Sequence, residues 1–253
     1  MRLALRIFLT MAVIAAVVFV GACAALFAFQ RSLIYYPQPR SNTQASTLMT
    51  LPGGVNVSTV PRSGSGAVLY YGGNGEDVSE DAPDLTDTFP HSAIYLLHYP
   101  GYGGSSGRPT QQAIFAAALA LYDRAHADHP NITIIGRSLG TGVATFVASQ
   151  RPVVRLILVT PFDSLGDAAA AQYPFLLVRW LLLDKYESWR YAPEVTAPTR
   201  ILVAADDEII PRSSSDRLRT RFRSGLVSYV LIPDASHNTI SQAPNYWALL
   251  SAP

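Results

Sequence analysis

From Gly66 onward the chain alternates short apolar runs with longer amphipathic ones. The short runs "AVLYY", "AIYLLHY", "NITIIG", "RLILVT", "RILVAA" and "VSYVLI" are apolar on both faces, which fits strands covered by helices on each side; a strand with one wet face would alternate. Between them, "QQAIFAAALALYDRAHA" and "LGTGVATFVASQ" carry apolar residues at helical spacing. The connections are long enough for right-handed crossovers, so the pattern predicts an α/β architecture, a doubly wound and mainly parallel sheet. The rhythm breaks over about 164–199, where "AAAAQYPFLLVRWLLLDKYESW" is too apolar for a surface loop and predicts a small helical cap. Phe175, Leu176, Trp180 and Leu183 in it either complete the core, or line an acyl pocket or lean on a membrane.

Residues 1–30 belong to a different solvent. Ile7 to Gln30 carries no charge, and at about 1.5 Å rise per residue it is long enough for the roughly 30 Å hydrocarbon core of a bilayer. Two rival readings exist: a cleaved signal peptide, or a lipoprotein signal with Val20-Gly21-Ala22-Cys23 as its lipobox. Against both, the apolar run continues past Cys23 through Phe29, where a processed chain turns polar. An uncleaved membrane anchor is therefore expected, with the lipid bilayer as a partner. Arg2 and Arg6 before the run favour a cytoplasmic amino terminus and an extracytoplasmic domain. Residues 31–65, opening with the proline-punctuated "RSLIYYPQPRSNTQAS", read as a connector and the start of the domain, and 66–253 as the domain itself.

A formal net charge of +1, with no block of Lys and Arg after the first residues, gives no field for steering onto phosphate backbones, so nucleic acid is not expected as a partner. The single cysteine, Cys23, allows no intrachain disulfide and no cysteine-based metal site.

The chemistry is concentrated at strand ends. Gly136-Arg137-Ser138-Leu139-Gly140 fits G-x-S-x-G, with a strand before it and a helix after it. In that setting Ser138 is either a nucleophile on a strained turn or a plain N-cap of the helix. A serine nucleophile needs a base, and the base needs a group that holds its tautomer. "RILVAADDEIIP" ends a strand in Asp206-Asp207, and "VSYVLIPDASHNTI" ends the next in a loop carrying His237. Both lie at the carboxyl edge, where open parallel sheets build their sites.

These pieces, with "LIYYP", "VLYYGGNGE", "HYPGYGGSSGRP", "GRSLGTG", "DEIIP" and "SHNT", make nearly everything after Arg31 similar to the α/β-hydrolase superfamily, in particular its small membrane-anchored serine hydrolases. In that family D-x-x-[VI]-P marks the catalytic acid, which selects Asp207 over Asp206. Asp163 in "LVTPFDSL", after another strand, is an alternative that some hydrolases use. The resemblance implies a Ser138, His237, Asp207 triad, one oxyanion donor from the Leu139 amide and a second from Gly73 or Asn74. The family commonly reads His-Gly-Asn in that loop, and this chain has Gly72 in place of the histidine. His91, His98, His126 and His129 have no comparable claim. Neither "GGNGED" nor "GYGGSSG" fits a nucleotide loop and no pair shows zincin spacing, so no cofactor and no metal is expected. The expected function is hydrolysis of an ester, thioester or amide in a small-molecule or acylated substrate. The alternative is a non-catalytic binding protein of the same fold.

Overall fold

The computed structural model describes residues 2–41, 44–173 and 175–252. Eight strands form one sheet: β1 (Thr47–Leu51), β2 (Val55–Val60), β3 (Gly66–Tyr71), β4 (Ala93–Leu97), β5 (Asn131–Arg137), β6 (Arg155–Val159), β7 (Thr199–Ala204) and β8 (Val227–Ile232). Their spatial order is β1-β2-β4-β3-β5-β6-β7-β8. From β4 to β8 every neighbouring pair is parallel. The six apolar runs are β3 to β8. The stretch read as a connector contributes the other two strands, a hairpin whose second strand pairs antiparallel with β4. Its turn, Pro52-Gly53-Gly54, uses glycines at φ 87° and 76°, a conformation in which a Cβ is strained.

Side chains along the strands alternate between two cores. Leu69, Tyr71, Ile134, Leu156 and Leu158 face one, and Val68, Tyr70, Ile135, Ile157 and Val159 face the other. This is why the strands lack a polar period: both faces are covered. The helices are α1 (Arg2–Ile34), α2 (Ala82–Thr88), α3 (Gln111–Asp128), α4 (Leu139–Gln150), α5 (Leu165–Gln172), α6 (Val178–Leu181), α7 (Ser188–Tyr191), α8 (Arg212–Arg219) and α9 (Tyr246–Ser251). α3 and α4 pack on the first core through Ile114 and Val143, and α2 and α9 close the second through Leu85 and Leu250.

The cap consists of α5, α6 and α7, inserted between β6 and β7. Phe175 and Trp180 in it do not complete the core: they are 88% and 84% exposed. The first helix is long and apolar enough to cross a membrane, a test that a signal sequence also passes. Its side chains from Leu3 to Val20 stand free of the domain.

Candidate active site

The chain lays β3 and then β4 on one side and crosses back to lay β5 on the other side of β3, so the carboxyl ends of β3 and β5 flank a crevice. The loop after β3 and the turn after β5 meet there. Ser138 forms that turn at φ 49° and ψ −116°, a strained backbone for a residue with a Cβ. Its N–H is bound to the Val159 carbonyl at 2.9 Å, which holds the turn against β6. The glycines on either side are explained by close approach. A Cβ on Gly140 would stand 1.9 Å from the Tyr71 carbonyl oxygen, and one on Gly136 would stand 2.4 Å from the Gly140 oxygen. Ser138 makes no side-chain cap to α4. The plain N-cap reading is therefore wrong, because the hydroxyl is engaged elsewhere.

That engagement is with His237, whose Nε2 lies 2.8 Å from Ser138 Oγ. The other ring nitrogen, Nδ1, lies 2.9 and 3.0 Å from the two Asp207 carboxylate oxygens. A carboxylate only accepts, so Nδ1–H donates to Asp207 and Nε2 is left to accept from the Ser138 hydroxyl. Both side chains are almost completely buried, at 5% and 2% exposure. Asp207 also accepts from the N–H groups of Ile209 and Ile210, at 3.0 and 2.7 Å. This short turn is the physical content of the D-x-x-[VI]-P spacing: it fixes the carboxylate before the histidine arrives.

The rival acids are placed elsewhere. Asp206 is exposed, and its N–H bonds Ala235 O. Asp163 is buried but committed to α8, accepting from Ser214 Oγ at 2.5 Å and from Arg217 Nε at 2.5 Å.

The sequence-predicted oxyanion donors separate. Leu139 opens α4, where the first N–H groups have no intrahelical acceptor and point along the positive end of the helix dipole. Gly73 does not qualify, because its N–H donates to Glu76 Oε2 at 2.8 Å. The second candidate is thereby Asn74, which borders the same cavity as Ser138 and Leu139. Asn74 is fixed through Oδ1, which accepts from the Tyr36 N–H at 3.0 Å and the Tyr102 hydroxyl at 3.1 Å. At Gly72 a Cβ would lie 2.4 Å from Val78 Cγ1, so the fold leaves no room there for a larger residue.

Glu76 is a component that the motif pattern did not mark. Beyond Gly73 it takes Arg137 Nη1 at 2.6 Å and the Tyr70 hydroxyl at 2.6 Å. Burial alone would lower the Arg137 pKa, but the Glu76 carboxylate and Tyr70 outweigh it and hold the guanidinium above its ordinary value. Burial, then the adjacent Glu76, push the Asp81 carboxyl far above the usual carboxylate range, up to about 9. Glu208 was also unmarked; its Oε2 accepts the His237 backbone N–H at 3.2 Å. The charged residue inside G-x-S-x-G, Arg137, was the available signal for the first network.

The sequence model of the alpha/beta hydrolase fold matches residues 68–191. The uncharacterized protein Rv2307c of Mycobacterium tuberculosis is 34% identical over 243 residues, covering 89% of this chain and 86% of its own. This chain belongs to the α/β-hydrolase fold family. A more distant relative within it, the lysophosphatidylserine lipase ABHD12 of Danio rerio, is 30% identical over 139 residues, 47% of this chain and 36% of its own. Among solved structures, the esterase Pf2001 of Pyrococcus furiosus superposes with a TM-score of 0.68 at 15% identity, covering 85% of this chain and 95% of that one. At that identity the likeness concerns the fold. Among the described residues no group of three or more His, Cys, Asp or Glu side chains is arranged to hold a metal ion.

Proposed function

We propose that this α/β hydrolase is a membrane-tethered serine hydrolase that cleaves an ester, thioester or amide through an acyl-enzyme. The observation that carries the reading is the unbroken hydrogen-bond chain Asp207–His237–Ser138, on a serine held in strained backbone. His237 Nε2 takes the Ser138 proton as Oγ attacks the acyl carbonyl carbon. Asp207 holds the tautomer and stabilises the imidazolium that forms. The developing oxyanion meets the Leu139 and Asn74 amides, each worth roughly 3 to 4 kcal/mol to the transition state. The leaving group departs with the proton from Nε2, and water repeats the cycle to release the acid. The lipase relative and the apolar helix support an acylated substrate close to a membrane.

The test is labelling of the full chain by a fluorophosphonate probe beside Ser138→Ala and His237→Ala. Labelling of the parent and of neither variant is expected, with Ser138→Ala lowering turnover by on the order of a millionfold. A folded parent that takes no label leaves only a non-catalytic binding role. The charges of Arg2 and Arg6 support an orientation with the amino terminus in the cytoplasm and the domain outside. Protease added to intact cells should then degrade the domain, and full protection would reverse the orientation.

A further inference from the structure

The inner side of the Ser138 cavity belongs to the hydrolase domain, but its outer wall does not. The cavity, about 660 Å³, reaches from Ser138, Leu139 and Asn74 to Ala22, Ala25 and Leu26 of α1. Phe29 and Leu33 continue the same lining. These α1 positions recur at i, i+3, i+4, i+7 and i+11 counted from Ala22, so they form one face of the helix. From Ala22 to Ile34 the helix rises about 18 Å.

Polar contacts hold this wall in place. Gln30 is 3% exposed despite its position on an otherwise apolar helix. Its Nε2 donates to Leu181 O at 3.2 Å, and its Oε1 accepts the Leu183 N–H at 2.7 Å. Next to it Arg31 Nε meets Asp184 at 3.1 Å, and the Tyr35 hydroxyl donates to Asp184 at 3.1 Å. The end of the helix is thus bolted to the cap segment that follows α6.

Helix length places the opening relative to lipid. The uncharged run starts at Ile7, and the residues up to Gly21 give about 22 Å of helix, less than the roughly 30 Å of hydrocarbon that a spanning helix must cross. About 8 Å of the wall, from Ala22 on, is therefore needed inside the bilayer. The cap presents Phe175, Leu177, Trp180 and Leu183 to the outside, an apolar and aromatic surface suited to the membrane interface.

We infer that the α1 face from Ala22 to Leu33 is the acyl-binding wall of the Ser138 site, and that Ala22 and Ala25 set the length of the single acyl chain the site takes from the adjoining leaflet. The assignment rests on the serine-hydrolase reading for its chemistry, while the wall itself is a statement about binding. The substrate class is an ester of one long acyl chain, and the membrane helix is part of the site.

The experiment uses the full chain in phosphatidylcholine nanodiscs. Ala25→Trp fills the cavity from the helix side, and Ala24→Trp puts the same bulk on the opposite face as a control. Butyryl and palmitoyl p-nitrophenyl esters report turnover, and a dansyl fatty acid binding to the Ser138→Ala background reports occupancy without turnover. Excluding two methylenes corresponds to a rise of roughly tenfold in the palmitoyl KM. Ala25→Trp is expected to produce it, lowering the palmitoyl-to-butyryl ratio of turnover, and to weaken dansyl fatty acid binding by a similar factor. Ala24→Trp is expected to change neither. Equal palmitoyl-to-butyryl ratios and equal fatty acid binding in Ala25→Trp and Ala24→Trp would overturn the wall. An unlabelled parent in which Ala25→Trp alone still weakened binding would sink the hydrolase reading and leave the wall standing. If Ala25→Trp does not fold, Ala22→Trp one turn earlier carries the same expectation.

Discussion

Glu76 offers the most demanding test of how the site is held, because it touches no reacting atom. Its carboxylate takes Gly73 N–H, Arg137 Nη1 and Tyr70 Oη at 2.8, 2.6 and 2.6 Å. The side chains of the Arg137–Glu76 pair are only 19% and 11% exposed, so removing one partner leaves a desolvated charge, at a cost of about 3 to 5 kcal/mol. Part of this is recovered in Glu76→Ala, since Asp81 loses the neighbour that helps hold it protonated and can ionise against Arg137. A net loss of about 3 kcal/mol lowers Tm by about 6–12 °C for a domain of this size. The kinetic consequence is separate. With Gly73 released, the Asn74 amide loses its bearing, and misplacing one oxyanion donor costs up to about a hundredfold in kcat. The assay is kcat and KM on a short water-soluble ester, at a temperature where both chains are folded. Glu76→Ala should lower kcat with KM within about twofold, since that donor acts in the transition state. Glu76→Gln keeps an acceptor for Gly73 and should recover most of kcat while Tm stays lowered. A lowered Tm with unchanged kcat in Glu76→Ala would refute the positioning role and leave Glu76 a buried ion-pair partner only.

Asp207→Asn should cost about four orders of magnitude in kcat, because the amide donates to Nδ1 and moves the histidine proton to Nε2, where it blocks acceptance from Ser138; a loss under tenfold in steady-state turnover would contradict the assignment of the acid. Asp81 has a raised native pKa, from burial first and Glu76 second, so the native state keeps a proton that the unfolded chain releases above its ordinary value of 3.8. Stability is then fully present below that value and declines as pH rises toward the native one, so Asp81→Asn should melt above the parent at about pH 8 and lose that advantage near pH 4; parallel melting profiles would count against it. Gly140→Ala places a Cβ 1.9 Å from the Tyr71 carbonyl oxygen and 2.7 Å from that of Gly72, both backbone. The turn must open, and Ser138 labelling should disappear together with at least 1–3 kcal/mol of stability, whereas parent-level labelling would mean that the elbow has slack.

Most of the sheet was legible because β3 to β7 are covered on both faces, so hydrophobicity alone marked them; β8 at the edge was marked by its run of β-branched and apolar residues, although only Ile232 in it is buried. The hairpin β1–β2 was not, for a physical reason: "TLMTL" lies at the sheet edge with four of five residues at least partly exposed, and "VNVSTV" mixes polar and apolar residues although it is largely buried. Ser58 shows why. Its hydroxyl bonds His98 Nε2 at 2.9 Å inside the protein, and burial pushes the His98 pKa down to about 4, so two polar side chains satisfy each other where a pattern reader sees surface. The Pro52-Gly53-Gly54 turn was the signal available. Within the site, Ser138, Asp207 and His237 could be picked out because each follows a strand and each residue type has a chemical role there. Gly73 could not be separated from Asn74, since whether an amide is free depends on a carboxylate three residues on.

An apolar helix looks the same in sequence whether its neighbours are lipid or protein, because both bury the same side chains. What differs is its polar punctuation. A helix that ended at the membrane surface would meet water at Gln30 and Arg31 and leave them solvated. Here Gln30 is buried and satisfied by the Leu181 carbonyl and the Leu183 amide, and Arg31 faces an Asp184 that is 7% exposed. Those partners lie about 150 residues away in the chain, so no local window could show them. A glutamine inside an uncharged run, followed by arginine and tyrosines, is the trace such docking leaves. The same contacts tie the first helix to the cap, so on the membrane-tethered proposal lipid that seats α1 also seats α5 and α6 over Ser138. Turnover of a long-chain ester should therefore be higher in the bilayer than in detergent, with the difference reduced in Asp184→Ala, where the bolt is cut and the triad is untouched. Equal bilayer dependence in parent and Asp184→Ala would show that the helix only tethers.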